Sequence, residues 1–195
     1  MKATYKDKAT AVKIISASLV NIPSTDWITG NSKRNNKHFK TLAEYMFDVS
    51  LAKKGVHLSS CKTGVLLMFR ADEKINPFKL LFCQLKLIHN CIGYWRFLSV
   101  IKRESYIKLV RPKENNYLYI WFWGVLPGVR GNGAAIELKD FLMNVSKTQG
   151  LPILAETTLS KNKKVYERYG FSTYHTWVLK KINLVTWFMK LSDVK

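Results

Sequence analysis

The chain has 195 residues, 47% of them apolar and 13% aromatic, enough to build one folded domain of ordinary core and to exclude a disordered segment. Thirty-two Lys and Arg against 13 Asp and Glu give a formal charge of +19, which favours an anionic partner: nucleic acid, an anionic membrane surface or a phosphorylated cofactor. Cys61, Cys83 and Cys91 form no C-x-x-C pair and no ligand set with the four histidines, so neither a disulfide framework nor a metal site is expected. The longest apolar run, residues 117–126, is too short for a transmembrane span, and the first six residues lack the apolar stretch of a secretory signal; a cytoplasmic protein is the expectation.

Residues 10–22 read as a first strand or a strand–helix transition, and 23–36 as a polar segment with Gly and Asn turn signals. Leu42, Tyr45, Met46 and Val49 then recur at helical spacing, with Gly55 closing that helix. Residues 56–60 and 64–70 read as a hairpin turning near Lys62. From 77 to 109, basic and apolar residues fall at helical spacing, and Gly93 marks a break between two helices. Leu80, Leu81, Leu85, Leu87, Ile88 and Ile92 lie here among Lys79, Lys86 and Arg96. That pattern is shared by membrane-surface helices and by helices packed on a core, and core packing is the expected use.

Pro112, Asn115 and Asn116 form the loop into a short aromatic and β-branched strand over 117–123. The stretch that follows, 125–135, reads Val-Leu-Pro-Gly-Val-Arg-Gly-Asn-Gly-Ala-Ala, and from Ala134 the apolar period becomes helical at Leu138, Phe141, Leu142 and Val145. A strand that turns through glycines into a helix aims unpaired backbone amides, and the positive end of the helix dipole, at one spot where a phosphate fits. The Lys-Ser/Thr pair of a P-loop is missing, and Gly128, Gly131 and Gly133 are misspaced for a dinucleotide fingerprint.

Arg130, Gly133 and Ala135 do fill the pattern Arg/Gln-x-x-Gly-x-Gly/Ala, which resembles the coenzyme A signature of the GCN5-related N-acetyltransferase (GNAT) superfamily. Downstream, 153–158 reads as a strand and 160–170 as a short helix closed by Gly170. The run Asn162-Lys-Lys-Val-Tyr-Glu-Arg-Tyr-Gly-Phe171 resembles the Asn-x-x-x-Tyr-Glu-Lys/Arg-x-Gly-Phe ending of that family. The similarity is clearest over about 117–174 and fades towards the N-terminus, although the basic helical middle and the terminal strand resemble those of some bacterial members.

The resemblance implies a single α/β (α+β type) domain over 1–195 with a mixed, centrally splayed β-sheet flanked by helices. It also implies transfer of acetyl from acetyl-CoA, without a metal, to a primary amine of an unidentified small molecule or peptide. Residues 117–174 would hold the cofactor and the variable helices of 77–110 would wall the acceptor side. Val129, Arg130, Gly131, Asn132, Gly133, Ala134 and Ala135 are expected to cradle the pyrophosphate, with Trp123, Gly124 and Val125 along the pantetheine arm and reacting carbonyl, and Asn162 further along it. Tyr166 matches the tyrosine that in many members protonates the departing thiolate. Glu156, on the strand after the cofactor helix, is the best carboxylate for the amine proton, because strand 117–126 lacks the acidic residue that many members carry there. The competing reading is a non-catalytic coenzyme A-binding or basic nucleic-acid-binding module on the same fold; a homodimer stays open beside the monomer.

Overall fold

The computed structural model describes residues 1–20, 22–30, 36–113, 116–129 and 131–192. In place of the first strand or strand–helix transition expected over 10–22, the chain forms a helix, α1 (Lys8–Leu19). Its Ala11, Ile14, Ile15 and Leu19 sit at i, i+3, i+4 and i+8 and are buried, so packing on the next long helix outweighs the poor helix propensity of the β-branched residues. The polar segment after it also holds a helix, α2 (Pro23–Thr29), which starts on a proline and closes on Gly30 at φ +89. The next helix, α3 (Asn36–Ala52), buries Phe39, Leu42, Ala43, Met46 and Phe47 on α1, and Lys8 clamps the two by donating to both oxygens of Asp48 at 2.6 and 2.7 Å.

The expected hairpin forms from β1 (Val56–Leu58) and β2 (Gly64–Arg70), with Lys62 at φ +53 in its turn. Asn76 then caps α4 (Pro77–Leu87) by accepting from the amides of Phe78 and Lys79. A π-helical turn (Ile88–Ile92) and Gly93 at φ +76 separate α4 from α5 (Tyr94–Val110). Core packing uses only part of this region: Leu87, Ile88 and Ile92 are buried, whereas Leu81 and Leu85 face solvent.

The rest of the chain runs β3 (Leu118–Val125), α6 (Ala134–Gln149), β4 (Ile153–Thr157), α7 (Ser160–Arg168), β5 (Ser172–Leu179) and β6 (Leu184–Leu191). The terminal strand is thus a pair of strands, turned through Asn183 at φ +49. One mixed sheet results, in the order β1-β2-β3-β4-β6-β5, antiparallel except for the β3–β4 pair at its centre. Its two faces carry separate cores. Residues of α1, α3 and the π-helical turn cover one, around Phe47, Leu58 and Leu67; α6 and Tyr166 cover the other, around Leu66, Ile120, Leu142 and Met189.

Candidate active site

Strand β3 positions most of the site. Against β2, Leu67 pairs with Phe122 but Met68 pairs with Ile120, so Trp121 is an extra residue in the ladder, a β-bulge. Strict alternation is broken there: Trp121 and Phe122 both pack into the α1 side, while Ile120 and Trp123 pack into the α6 side. Just beyond, a Cβ on Gly124 would lie 2.7 Å from the Phe122 ring and 3.1 Å from Ser18 Oγ, so the position admits only glycine without a shift of the ring. Parallel pairing with β4 stops at Ile120 opposite Ala155, whereas β4 continues against β6 through Thr157. From Trp121 to Val125, therefore, the β4-facing edge of β3 has no strand partner among the described residues. An open strand edge is a ready acceptor and donor for an extended amide-bearing chain.

At the far end of this edge the chain turns through Pro127 and Gly128 into α6. Gly128, Gly131 and Gly133 have φ of +90, +91 and +81, and a Cβ at any of them would meet nothing within 4 Å. The glycines here serve backbone conformation and leave clear space in front of the first turn of α6. Helix geometry leaves the amides of that turn without intrahelical acceptors; Asn132 Oδ1 accepts from Ala134 at 3.2 Å, which leaves Ala135 and Ile136 to face an anion. Arg130, expected to add a cation, lies outside the described residues. The residues present fit a pyrophosphate: small, exposed, left-handed turn positions leading into a helix N-terminus.

A brace for this turn was not anticipated. Asn132 Nδ2 donates to Thr63 Oγ1 at 2.6 Å, and the Glu137 carboxylate accepts from the Ser60 amide at 2.8 Å and its hydroxyl at 2.9 Å. The β1–β2 turn thereby holds both the cradle and the helix that follows it. Gly64 permits the approach, since a Cβ there would come within 2.9 Å of Leu138 and 3.1 Å of Ala134. The exposed Cys61 shares the network, and hydrogen bonds with Ser59 and Thr63 hold its thiol below the ordinary range.

Tyr166 is buried on α7 with its ring against Trp123 (6.2 Å between centroids) and Phe171 (5.1 Å). Burial pushes its phenol pKa well up, and the charge of Glu156 adds to the effect, so the hydroxyl keeps its proton throughout the physiological range. Asn162 is half-buried one turn earlier, on the same face of α7. Trp123 also stacks on Tyr169 at 5.9 Å, which fixes α7 over the unpaired part of β3.

Glu156 is the first residue past the fork, and its neighbour Thr157 is buried. Its side chain, 8% exposed, accepts from Arg111 Nε at 2.9 Å and Nη2 at 3.3 Å, and from the Tyr119 hydroxyl at 2.5 Å. Arg111 also lies 3.8 Å above the Tyr119 ring. Burial works against the charge of Arg111, but Tyr119 and Glu156 raise its pKa above the ordinary arginine value. Tyr119 itself is pushed far up by burial and then by Glu156. These donors engage both carboxylate oxygens and fix their position at the fork. Nearby, the buried Tyr174 hydroxyl has no hydrogen-bond partner among the described residues, and Tyr106 bonds His175 Nε2 at 3.1 Å. Sequence reasoning missed Arg111, Tyr119 and Tyr174, because an arginine before a proline and tyrosines within strands carry no motif.

Two cavities lie elsewhere. One of about 900 Å³ runs between α1 and α3, lined by Lys6, Val12, Val20, Phe39 and Lys40, and another of about 520 Å³ opens between Trp27 and the start of α5. Neither touches the cradle or the fork.

The sequence profile of the Acetyltransferase (GNAT) family matches residues 58–171, more than half the chain and the whole of the site just described. The protein belongs to this family and is a GNAT-type N-acetyltransferase. No curated protein matches the chain by sequence. Among solved structures, arylalkylamine N-acetyltransferase 2 from Aedes aegypti superposes at a TM-score of 0.71 with 15% identity, over 99% of this chain and 98% of that one. "Histone acetyltransferase HPA2 and related acetyltransferase" from Corynebacterium glutamicum superposes at 0.65 with 17% identity, over 97% and 93%. An agmatine N-acetyltransferase does so at 0.58 with 12% identity, over 97% and 96%. At such identities these likenesses establish the shared fold.

Proposed function

We propose that the protein transfers acetyl from acetyl-CoA to the primary amine of an acceptor by direct attack in a ternary complex. The observation that carries this reading is the alignment, along the single strand β3, of a bulge, an unpaired edge and a glycine turn at the N-terminus of α6. The amides of residues 129–135 and the Arg130 side chain would hold the pyrophosphate. The edge from Trp123 to Val125 and Asn162 would hold the pantetheine amides. Bound there, acetyl-CoA supplies the activated thioester.

In the reaction the amine nitrogen forms a bond to the carbonyl carbon and the carbon–sulfur bond breaks. A lysine-like amine is neutral in only about one molecule in a few thousand at pH 7, so its proton needs an exit. We assign that exit to Glu156 through a water molecule, with Arg111 and Tyr119 holding the carboxylate at the fork. Tyr166 would return a proton to the thiolate; its raised pKa keeps it protonated but makes the donation uphill, so its contribution is partial. The aromatic groups around Glu156, namely Tyr119, Tyr174 and Phe188, support arylalkylamines as the first acceptors to try. Work in the cytoplasm on a soluble amine fits this chemistry.

Calorimetric titration with acetyl-CoA, followed by thiol release with arylalkyl, aliphatic and amino-acid-derived amines, tests the reading. Saturable binding with amine-dependent release is the expected outcome. Binding without release for every amine would leave a coenzyme A-holding module. Absence of binding to the folded protein, with steeply salt-dependent nucleic-acid binding, would replace the proposal with a nucleic-acid-binding role.

A further inference from the structure

We propose that α4 and α5 form a docking face for an anionic lipid bilayer. The inference is independent of the acetyl-transfer chemistry. On α4, Phe78, Leu81, Phe82 and Leu85 fall at i, i+3, i+4 and i+7, and this apolar stripe points to solvent: Phe78 is 82% and Phe82 71% exposed. The opposite side of the same region buries Leu87 and Ile88, so both sides are apolar and the outer one has no partner among the described residues. On α5, Tyr94, Leu98 and Ile101 form a second outward stripe, with Trp95 beside it at 90% exposure. Side chains of this size are rarely displayed together on a surface that meets only water.

The charges around the stripes name the occupant. Residues 77–110 contain six basic residues, Lys79, Lys86, Arg96, Lys102, Arg103 and Lys108, and one acidic residue, Glu104, which accepts from Arg103 at 2.6 Å. Lys79 and Lys86 flank the α4 stripe; Lys102 and Lys108 flank that of α5. Lys86 bonds Glu44, which also lines the groove carrying Lys6, Lys13 and Lys40, so the basic rim continues away from α4. Protein interfaces are depleted of lysine, whereas helices lying in a bilayer surface combine Trp, Phe and Leu on one face with flanking Lys and Arg. A second copy would bring +19 against +19. Among the described residues no helix is long and apolar enough to cross a membrane, so docking would be peripheral.

Co-sedimentation of the full chain with phosphatidylcholine vesicles, with and without about 30% phosphatidylglycerol, tests the proposal. Binding is expected only to the anionic vesicles. It should weaken at least about ten-fold in Phe82→Ser/Trp95→Ser and, separately, in Lys102→Gln/Lys108→Gln. These exposed positions leave the core untouched, so unchanged melting temperatures and acetyl-CoA affinity accompany the loss. Absence of binding to anionic vesicles overturns the proposal, whether the chain is then monomeric, self-associates through these stripes or uses them to hold an acidic protein. Binding that ignores Phe82→Ser/Trp95→Ser and vanishes with salt also overturns it, since simple adsorption of a basic protein needs no apolar face.

Discussion

The cradle makes a quantitative prediction through Ala135→Glu. Ala135 is exposed in the first turn of α6, where its amide and that of Ile136 face the space cleared by Gly131 and Gly133. A carboxylate about 5 Å from a bound phosphate repels it by roughly 1 kcal/mol at the dielectric of water and roughly 3 kcal/mol at the effective value for a protein surface, or a five- to hundred-fold rise in Kd. The same carboxylate favours the helix dipole by about 0.3–1 kcal/mol, so the variant should melt no lower than the wild type. Glutamate at Gly133 is a poorer probe because φ of +81 there strains any side chain and mixes folding with binding. Calorimetry with acetyl-CoA at low and high salt reads the effect, with Ala135→Gln as the uncharged control. Affinity should fall in the glutamate variant, recover partly in salt and change little in the glutamine one. An unchanged Kd in the folded Ala135→Glu protein would refute the phosphate cradle.

Tyr166→Phe should lower the single-turnover acetyl-transfer rate by about ten-fold or more without changing acetyl-CoA affinity, because a buried phenol is a useful but weak acid; an unchanged rate would remove it from the chemistry. Glu156→Gln should cut kcat/KM, while Arg111 loses its charged partner and stability drops by about 3 kcal/mol; activity equal to wild type would leave Glu156 with a structural task alone. His57 supplies a pH test of stability. Burial, aided by the N-terminal amine and Lys2, pushes its pKa down to about 4, and its ring lies 4.4 Å from that of Phe141 with Nδ1 unpartnered among the described residues. The folded state therefore resists a proton that the unfolded chain accepts. Its stabilisation is complete above the unfolded value near 6.5 and is lost as pH falls towards 4, by about 3 kcal/mol. Urea unfolding at pH 7 and pH 4.5 should show that loss in the wild type and a smaller one in His57→Gln; equal slopes in the two would discount the histidine.

Local signals made the cofactor half legible. The aromatic run 117–123, the glycines of 128–133 and the i, i+4 pair Asn162 and Tyr166 each follow from backbone rules acting over a few residues, and each stands where those rules put it. The N-terminal helix was misread because Thr10, Val12, Ile14 and Ile15 prefer strands in isolation, and only burial against Phe39 and Phe47 of α3 reverses the preference. The bulge at Trp121 was hidden for a related reason. It is a mismatch between two strands, and a single strand carries no record of its partner's register.

The same distinction explains the fork. Glu156 could be chosen as a carboxylate on the right strand, yet its state depends on Arg111, 45 residues earlier, and on Tyr119, 37 residues earlier. Arg111 leaves the end of α5 just before β3 begins, so the helix pair that shows its apolar stripes to solvent also delivers the cation that holds the carboxylate at the fork. The same guanidinium stacks on the Tyr119 ring, and Tyr119 belongs to the same strand as the bulge. One side chain, Arg111, thus joins the end of α5 to the carboxylate at the fork. If Arg111 were drawn away from Glu156, the carboxylate would lose two of its three donor hydrogen bonds and with them its fixed position at the fork. If docking of α5 reaches Glu156 through Arg111, kcat/KM measured with and without anionic vesicles should differ, and Arg111→Lys, with no bidentate fork, should weaken the difference.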